Sequence, residues 1–352
     1  MLKNIKKSLE LIEKYLFNNH KYGFWIDFDS HNGSTCWTTS YVARNLANNS
    51  KNLEKLLIVK NRIQFNQRSD GGWAYNHTVA SDTDTTTNCL LFLFKFSSRD
   101  SKIINKGIEY ILKHQDKQGG FFTYSEEEFK QIYGNKDGKG WYSPNVEVTS
   151  LAIKVLIENK SNSAEIKKAL DFIKSKQNNN GSWDPYWWSS EEYAIINSIN
   201  VLEKYPEYDE NVKKALIYLT DKRKEYGWIN DFTKIYSSFY AALALELIID
   251  QRLIRKYKIA KRYQIADVSI NSILENEINK LIYAQNRDGS YNPEPILRIP
   301  RSDITDISTV KKWLIDIPHK NTIYRDNNKF FTTATVYPTL LKYLETIPDD
   351  KQ

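Results

Sequence analysis

The stretch Gln67-Arg68-Ser69-Asp70-Gly71-Gly72-Trp73 decides the fold of this chain, because related stretches recur along its whole length. Fuller copies run from Gln115 to Phe121, from Gln177 to Trp183 and from Gln285 to Tyr291. Shorter copies, in which only the glycine and the aromatic residue remain, are Gly23-Phe24 and Gly227-Trp228. Successive aligned glycines lie 46 to 62 residues apart. A repeat of that size indicates one supersecondary unit used several times.

Each repeat joins two segments of different character. The Gln ends an amphipathic segment, and the Asp-Gly or Asn-Gly after it is typical of a helix stop followed by a turn. A more apolar segment follows each aromatic residue. The amphipathic helices are predicted at about 4–18, 53–67, 103–116, 165–178, 211–222 and 272–285. The apolar helices are predicted at about 35–47, 84–96, 146–158, 190–203, 234–249 and 332–345.

Six amphipathic and six apolar helices predict an all-α fold, an (α/α)6 barrel of six helical hairpins with an inner and an outer ring. An open solenoid of hairpins is the alternative, but such arrays need polar capping repeats, and the last apolar segment is as apolar as the others. Closure also explains how 352 residues can form a single domain, 1–352, although single cores usually stop growing at roughly 250 to 300 residues. The long connections 122–145 and 292–330 both lead from an outer to an inner helix, so we expect them at one mouth of the barrel.

Composition excludes several classes of protein. The two cysteines cannot form a disulfide framework, and they favour a reducing, cytoplasmic compartment. The N-terminal stretch has Glu10 and Glu13 at helical spacing and is typical of an amphipathic helix rather than a signal peptide. A net charge of +7 is spread along the chain and is too diffuse to predict nucleic-acid binding. Peripheral membrane contact and the oligomeric state stay open.

The acidic segment Asp82-Thr83-Asp84-Thr85-Thr86-Thr87 begins the second apolar helix. One Asp or Thr would suffice to cap a helix, so two Asp and several Thr exceed that need. Two neighbouring carboxyl groups in an apolar cavity cannot easily both ionise, so one of them should hold its proton at neutral pH. Asp84 is therefore a candidate general acid, with Asp82 beside it.

Aromatic residues are predicted at the same end of the barrel. An acid surrounded by π faces suits chemistry in which an alkene is protonated and the resulting cation is stabilised without a nucleophile. Core packing is the alternative role for most of these rings. Glu147, which opens the third apolar helix, either faces the cavity or complements the helix dipole. The candidate substrate-binding residues are Phe122, Trp141, Tyr142, Glu147, Trp187, Trp188, Tyr240 and Phe331.

The stretch 67–73, followed by Asp82-Thr83-Asp84-Thr85-Thr86, resembles the class II terpene cyclases, which include squalene-hopene cyclase and bacterial diterpene cyclases. Those proteins carry a Gln-Trp repeat and an acidic Asp-x-Asp motif, and the repeat pattern here covers nearly the whole chain. The resemblance implies that Asp84 delivers the proton and that Asp82 and Thr85 tune it. It also implies an isoprenoid substrate, such as a prenyl diphosphate, and no required cofactor, with Mg2+ useful only for holding a diphosphate.

Two other functions stay open at this point. A glycosidase or polysaccharide lyase on the same barrel would use Asp84 and Glu147 as its paired carboxyl groups. A non-catalytic binding domain is the second alternative. The histidines and cysteines show no metal-ligand spacing, so no metal site is predicted.

Overall fold

Twelve helices of the computed structural model alternate between an inner and an outer ring, in the part of the chain that the structure describes (1–96, 101–161, 163–259, 270–318 and 320–347). The outer helices are α1 (Leu2–Asn19), α3 (Leu57–Phe65), α5 (Lys102–Lys113), α8 (Ser163–Ser175), α10 (Asp209–Tyr226) and α13 (Ile270–Ala284). The inner helices are α2 (Cys36–Leu46), α4 (Thr83–Leu93), α7 (Val146–Glu158), α9 (Glu191–Leu202), α11 (Ser238–Ile248) and α14 (Phe330–Glu345). Two short helices, α6 (Glu126–Tyr133) and α12 (Gln251–Lys256), lie outside the alternation.

The inner helices form a closed ring. Each one packs against the next, and α14 packs against α2, where the Tyr41 hydroxyl and Thr335 Oγ1 lie 2.8 Å apart in a hydrogen bond. Every outer helix packs on the inner helix that precedes it, and α1 packs on α14. The predicted (α/α)6 barrel is therefore confirmed, and the open solenoid is wrong.

The repeated Gln-to-aromatic turn fastens neighbouring outer helices to each other. The Gln67 side-chain amide donates to the carbonyl of Gly71 in its own turn and to that of Ile103 at the start of α5, both at 2.8 Å. Gln285 does the same with Gly289 and with Ser8 of α1, both at 3.1 Å, which closes the outer ring. A side chain at Gly71, whose φ is +94°, would lie 2.5 Å from a carbonyl of α5, so the turn requires glycine.

In three of the turns, the backbone N–H of the aromatic residue donates to a threonine of an inner helix. The indole N–H of Trp73 donates to the Ile63 carbonyl at 2.6 Å, and its backbone N–H donates to Thr86 Oγ1 at 2.9 Å. Phe121 and Thr149 form the equivalent backbone bond at 2.8 Å. The sequence analysis counted Thr86 among the threonines that exceed the needs of helix capping. Its hydrogen bond to Trp73 gives it a structural role.

The helix boundaries differ from the predicted ones mainly at α3 and α11. The helix α3 is shorter than the predicted 53–67, and α11 starts at Ser238 rather than near 234. Ser237 explains the second difference, because its hydroxyl accepts the backbone N–H of Tyr240 at 3.0 Å and caps α11.

The two long connections contact each other at the end where the inner helices begin, which we call the mouth. The first contains α6 between strands β3 (Phe121–Phe122) and β4 (Pro144–Asn145), which pair with each other. The second contains β5 (Pro295–Ile299), β6 (Leu314–Ile315) and β7 (Thr322–Arg325), in the order β5-β7-β6. The Gly140 N–H donates to the Ser302 carbonyl at 2.8 Å, which joins the two connections. A further short pair, β1 (Trp73–Ala74) and β2 (Ser81–Asp82), precedes α4.

No helix among the described residues combines the length and the apolar character that crossing a bilayer requires.

Candidate active site

A cavity lies under the two long connections, and its walls are mainly aromatic and aliphatic. Its empty space is about 580 Å³, including the part that opens to solvent. The residues that line it are Ser30, Trp37, Tyr75, Val79, Asp82, Asp84, Thr85, Thr123, Tyr124, Tyr133, Trp141, Trp187, Leu297 and Ile299. All three predicted catalytic residues, Asp82, Asp84 and Thr85, are among them.

Asp82 caps helix α4 and is held by three hydrogen bonds. Thr85 donates its backbone N–H to Oδ1 at 2.6 Å and its hydroxyl to Oδ2 at 2.7 Å, and the Tyr75 backbone N–H donates to Oδ2 at 3.0 Å. Burial raises the pKa of Asp82 to about 6, and the hydrogen bonds oppose that rise. Asp82 is therefore mostly ionised at neutral pH.

Asp84 follows two residues later, in the first turn of α4, and has fewer donors. Asn88 donates its side-chain amide to Oδ1 at 3.2 Å and to the backbone carbonyl at 2.9 Å. Burial, and then the charge of Asp82, raise the pKa of Asp84 to about 8, although the cation Arg44 lowers it. The nearby Trp37 indole N–H also lowers the pKa of Asp84, although no acceptor lies in hydrogen-bonding geometry with this N–H. Of the two carboxyl groups, Asp84 therefore has the higher pKa.

Two of the predicted substrate-binding residues, Trp141 and Trp187, lie in the cavity wall. Their rings lie 5.6 Å apart, edge to face. The Trp141 N–H donates to the Pro300 carbonyl at 3.0 Å, and the Trp187 N–H donates to Thr123 Oγ1 at 2.8 Å. Both indoles thus have their polar atom satisfied and present carbon faces to the cavity.

Glu147 is buried and does not line the cavity. Its Oε1 accepts the backbone N–H groups of Tyr186 and Trp187, both at 2.6 Å. Burial raises the pKa of Glu147, and these two bonds oppose the rise. The Glu147 carboxylate therefore holds the backbone of Trp187 in place. The sequence had suggested that Glu147 contacts the substrate.

The other five predicted substrate-binding residues are not among those that line the cavity. Phe331 and Trp188 lie behind Trp37 of the wall, with ring centroids 5.0 and 5.7 Å from it. Phe122 lies against His114, with ring centroids 5.1 Å apart, and Tyr142 lies against Phe129 at 5.9 Å. Trp188 stacks between Tyr193 and Phe239 at 3.8 and 5.6 Å, and Phe331 stacks on Tyr41 at 3.6 Å. Tyr240 points its hydroxyl at Ser189.

Several residues of the wall are absent from the predicted substrate-binding set. Trp37 begins an inner helix, and Tyr75 follows directly after the repeat turn, so both positions had a recognisable signal. Tyr124 and Tyr133 come from the first long connection, and Leu297 and Ile299 lie on one side of strand β5. No turn or helix pattern in those connections indicated which side chains face inward.

No group of three or more His, Cys, Asp or Glu side chains within the described residues is arranged to hold a metal ion. Cys36 and Cys89 are both buried and unpaired.

Comparison with known proteins places the chain among cyclases. The family model for the squalene-hopene cyclase C-terminal domain matches residues 60–244, which is more than half of the chain. Lanosterol synthase of Pneumocystis carinii is 23% identical over 273 residues, which cover 61% of this chain and 38% of the relative. The chain thus spans about two fifths of the length of that curated relative.

Solved structures show the same fold. The type II terpene cyclase MstE from Scytonema, in complex with geranylgeranyl dihydroxybenzoate, superposes with a TM-score of 0.85 at 22% identity and covers 98% of this chain and 99% of its own. The ent-copalyl diphosphate synthase from Streptomyces platensis has a TM-score of 0.56 at 14% identity, covering 88% of this chain and 50% of its own. At these identities the likeness establishes the fold.

Proposed function

Because the chain belongs to the squalene-hopene cyclase family of class II terpene cyclases, we propose that it cyclises a linear polyprenyl substrate by protonating a terminal alkene with Asp84. The observation that carries the proposal is a pair of neighbouring carboxyl groups, Asp82 and Asp84, on the wall of an aromatic cavity, where burial and the charge of Asp82 raise the pKa of Asp84 to about 8. A general acid must hold its proton at the working pH.

In the proposed first step, the π electrons of the terminal double bond form a new C–H bond with the proton of Asp84. The Asp84 O–H bond breaks, the carboxyl group becomes a carboxylate, and a tertiary carbocation forms on the substrate. The next double bond of the chain attacks this cation, and each ring closure moves the positive charge along the chain. The sequence ends when the cation loses a proton, or when water adds and the resulting oxonium ion loses a proton. A proton from solvent then restores the acid form of Asp84.

The cavity supports this chemistry with charge and with π faces. Ionised Asp82 lies beside Asp84 and favours positive charge in the cavity. The faces of Trp37, Trp141 and Trp187 stabilise a cation by about 0.5 to 2 kcal/mol each without offering a nucleophile. Protonation itself requires no cofactor, and Mg2+ would serve only to hold a diphosphate.

The neighbouring structures suggest the size of the substrate. MstE was solved with geranylgeranyl dihydroxybenzoate, and the sequence suggested a prenyl diphosphate. Both have a polyprenyl chain with a terminal alkene, which is the part that Asp84 would protonate. We therefore propose a polyprenyl chain of about this length as the substrate class.

The glycosidase alternative requires Asp84 and Glu147 to flank a sugar. Glu147 Oε1 accepts the backbone N–H groups of Tyr186 and Trp187, and the Glu147 side chain lies outside the cavity wall. This arrangement favours the cyclase. The cytoplasmic location, contact with a membrane surface and the one-domain organisation of 1–352 stay predictions.

The test is incubation of the purified chain with squalene, with farnesyl and geranylgeranyl diphosphates, and with geranylgeranylated hydroxybenzoate, followed by mass spectrometry. We expect a cyclic isomer, or its hydrate, from at least one of them. Asp84→Asn keeps the shape of the side chain and should lower turnover by about 10²- to 10⁴-fold. Undiminished turnover in that variant would contradict the assignment of the acid, and release of sugars from polysaccharides would favour the glycosidase.

A further inference from the structure

We infer that a second cavity inside the barrel, which we call the polar cavity, binds a small oxyanion of the size of phosphate between Arg44 and Lys154. The polar cavity lies at the end opposite the mouth, where the inner helices end, and all six inner helices contribute to its wall. Its empty space is about 770 Å³, including the part that opens to solvent. The proposed cyclisation makes no use of this space.

The wall of the polar cavity differs in kind from the aromatic wall at the mouth. It contains three cationic side chains, Arg44, Lys95 and Lys154, and two carboxyl groups, Glu158 and Glu246. Asparagine side chains of α2 and α9 add neutral amide donors. The described lining therefore has a net positive charge together with hydrogen-bond donors, which suits an anion better than a hydrocarbon chain.

Stacked aromatic rings separate the polar cavity from the mouth cavity. Phe331 stacks on Tyr41 at 3.6 Å, and Trp188 stacks on Tyr193 at 3.8 Å. Tyr41 and Tyr193 line the polar cavity, and no described residue lines both cavities. A ligand of the polar cavity is therefore a molecule distinct from the polyprenyl substrate.

Arg44 offers the anion a donor that the chain does not use. Its Nη1 is buried and has no hydrogen-bond partner among the described residues. The guanidinium group lies over the Tyr41 ring, 4.7 Å from the ring centroid, and this contact leaves its N–H groups free to donate. A cation that served only the negative end of α2 would donate to the last carbonyl groups of that helix. Nη1 is instead available to a ligand.

Lys154 supplies a second cation on the wall of the same cavity. Burial, and then the charge of Arg44, lower the pKa of this lysine, whereas Glu158 and Glu246 oppose that effect. The two cations thus repel each other, and the carboxyl groups nearby offset the repulsion only in part. An anion bound between Arg44 and Lys154 would attract both of them.

Neutral donors complete the site from a third helix and from the end of α2. Tyr193 of α9 is 1% exposed, and its hydroxyl has no hydrogen-bond partner among the described residues. The same holds for Nδ2 of Asn45. Two cations and two neutral donors around one small space match the needs of an oxyanion, whose several oxygens each accept hydrogen bonds.

A bound anion should also act on the proposed acid, and this consequence rests on the proposed function. Asp82 and Glu147 raise the pKa of Asp84 by their charge, Arg44 lowers it, and the neutral Tyr193 lies close enough to feel the charge of Asp84. An anion beside Arg44 offsets the positive charge, so the pKa of Asp84 should rise. The alkaline limb of the pH–rate profile should then move to higher pH.

The binding test is titration calorimetry of the unmodified chain with inorganic phosphate, in Tris chloride at constant ionic strength. We expect one saturable site. Lys154→Gln should weaken phosphate binding by about tenfold or more, and Lys154→Arg, which keeps the charge, should retain it. Lys130→Gln is the matched control, because it removes the charge of an exposed lysine of α6 at the mouth, and it should bind phosphate like the unmodified chain.

Thermal unfolding gives a second measure that needs no variant. Phosphate should raise the melting temperature of the unmodified chain above the value in sodium chloride of the same ionic strength. The absence of saturable binding, or equal effects of phosphate and chloride, would overturn the inference. Binding that neither Lys154→Gln nor Arg44→Gln weakens would also overturn it, as would an equal loss of affinity in Lys130→Gln.

Turnover separates the anion site from the proposed function. Phosphate should move the alkaline limb of the unmodified chain to higher pH and leave that of Lys154→Gln in place. An unmoved limb at saturating phosphate would overturn the link to Asp84. If no polyprenyl compound is cyclised, the proposed function fails, and calorimetry still decides whether the polar cavity binds an anion.

Discussion

Thr85 holds both carboxylate oxygens of Asp82, the first through its backbone N–H at 2.6 Å and the second through its hydroxyl at 2.7 Å. This pair of bonds stabilises the ionised form of Asp82, and the charge of Asp82 in turn helps to keep the proton on Asp84. The threonine therefore acts on the acid through a second residue.

Replacing Thr85 tests this linkage. Thr85→Val removes the hydrogen bond from the Thr85 hydroxyl to Asp82 Oδ2. A hydrogen bond to a charged group contributes about 1.5 to 3 kcal/mol. The pKa of Asp82 should rise, its charge near neutral pH should fall, and the pKa of Asp84 should fall as a result. We expect the alkaline limb of the pH–rate profile to move to lower pH. Thr85→Ser keeps the hydroxyl and should keep the profile of the unmodified chain, and an unshifted profile in Thr85→Val would contradict the linkage.

The pH dependence of stability gives a readout of Asp84 that does not involve substrate. Its pKa is about 8 in the folded chain, well above the ordinary carboxyl value of 3.8, so the folded state binds the proton more tightly than the unfolded state. The stability that this group contributes is complete below pH 4 and is lost as the pH rises through about 8. The slope is up to about 1.4 kcal/mol per pH unit.

Asp84→Asn removes this titration and leaves the other buried carboxyl groups in place. The difference in free energy of unfolding, unmodified chain minus variant, should therefore decrease steadily between pH 4 and pH 8. Denaturant unfolding at four pH values measures it. A difference that does not change with pH would show that Asp84 has an ordinary pKa.

Glu147 distinguishes a positioning role from a catalytic one. Glu147→Gln keeps an oxygen that can accept the N–H groups of Tyr186 and Trp187, so we expect kcat and KM close to those of the unmodified chain. Glu147→Ala leaves two buried N–H groups without a partner, at about 1 to 3 kcal/mol each. The Trp187 loop should then shift, and KM should rise by on the order of tenfold with a smaller change in kcat. A catalytic carboxylate would instead lose activity in both variants.

The adjacent residues Trp187 and Trp188 offer a matched pair. Trp187 lines the cavity, whereas Trp188 is 1% exposed and stacks on Tyr193. Trp187→Leu removes a π face worth about 0.5 to 2 kcal/mol to a nearby cation, so we expect slower turnover and more products from early quenching. Trp188→Phe should lower the melting temperature and leave the product mixture unchanged. Gas chromatography of the products and thermal unfolding measure the two effects, and a changed mixture in Trp188→Phe alone would reverse the assignment.

The sequence predicted the barrel and the acid for the same reason, which is that both depend on local patterns. A Gln, a glycine and an aromatic residue at fixed spacing specify a turn, and two Asp at a helix start specify a pair of carboxyl groups near each other. These features need no knowledge of how distant elements pack.

The residues that line the cavity could not be predicted in the same way, because the local sequence pattern does not specify which side chains face inward. Every face of an inner helix is buried, so apolar character does not tell whether Phe331 points to the cavity or, as found, to Tyr41. The rotation of each inner helix about its own axis decides which of its side chains face the cavity. Leu297 and Ile299 belong to a strand in a connection whose structure no repeat specified.

The ring closure between α2 and α14 has a mechanical consequence. In an open stack of hairpins, a weakened joint affects only the units beyond it. In a closed ring, the diameter of the central cavity depends on every contact between neighbouring inner helices. Weakening the Tyr41–Thr335 contact would therefore widen the whole cavity. The fit between the aromatic wall and a folded polyprenyl chain is in this sense a property of all six hairpins, including those that contribute no side chain to it.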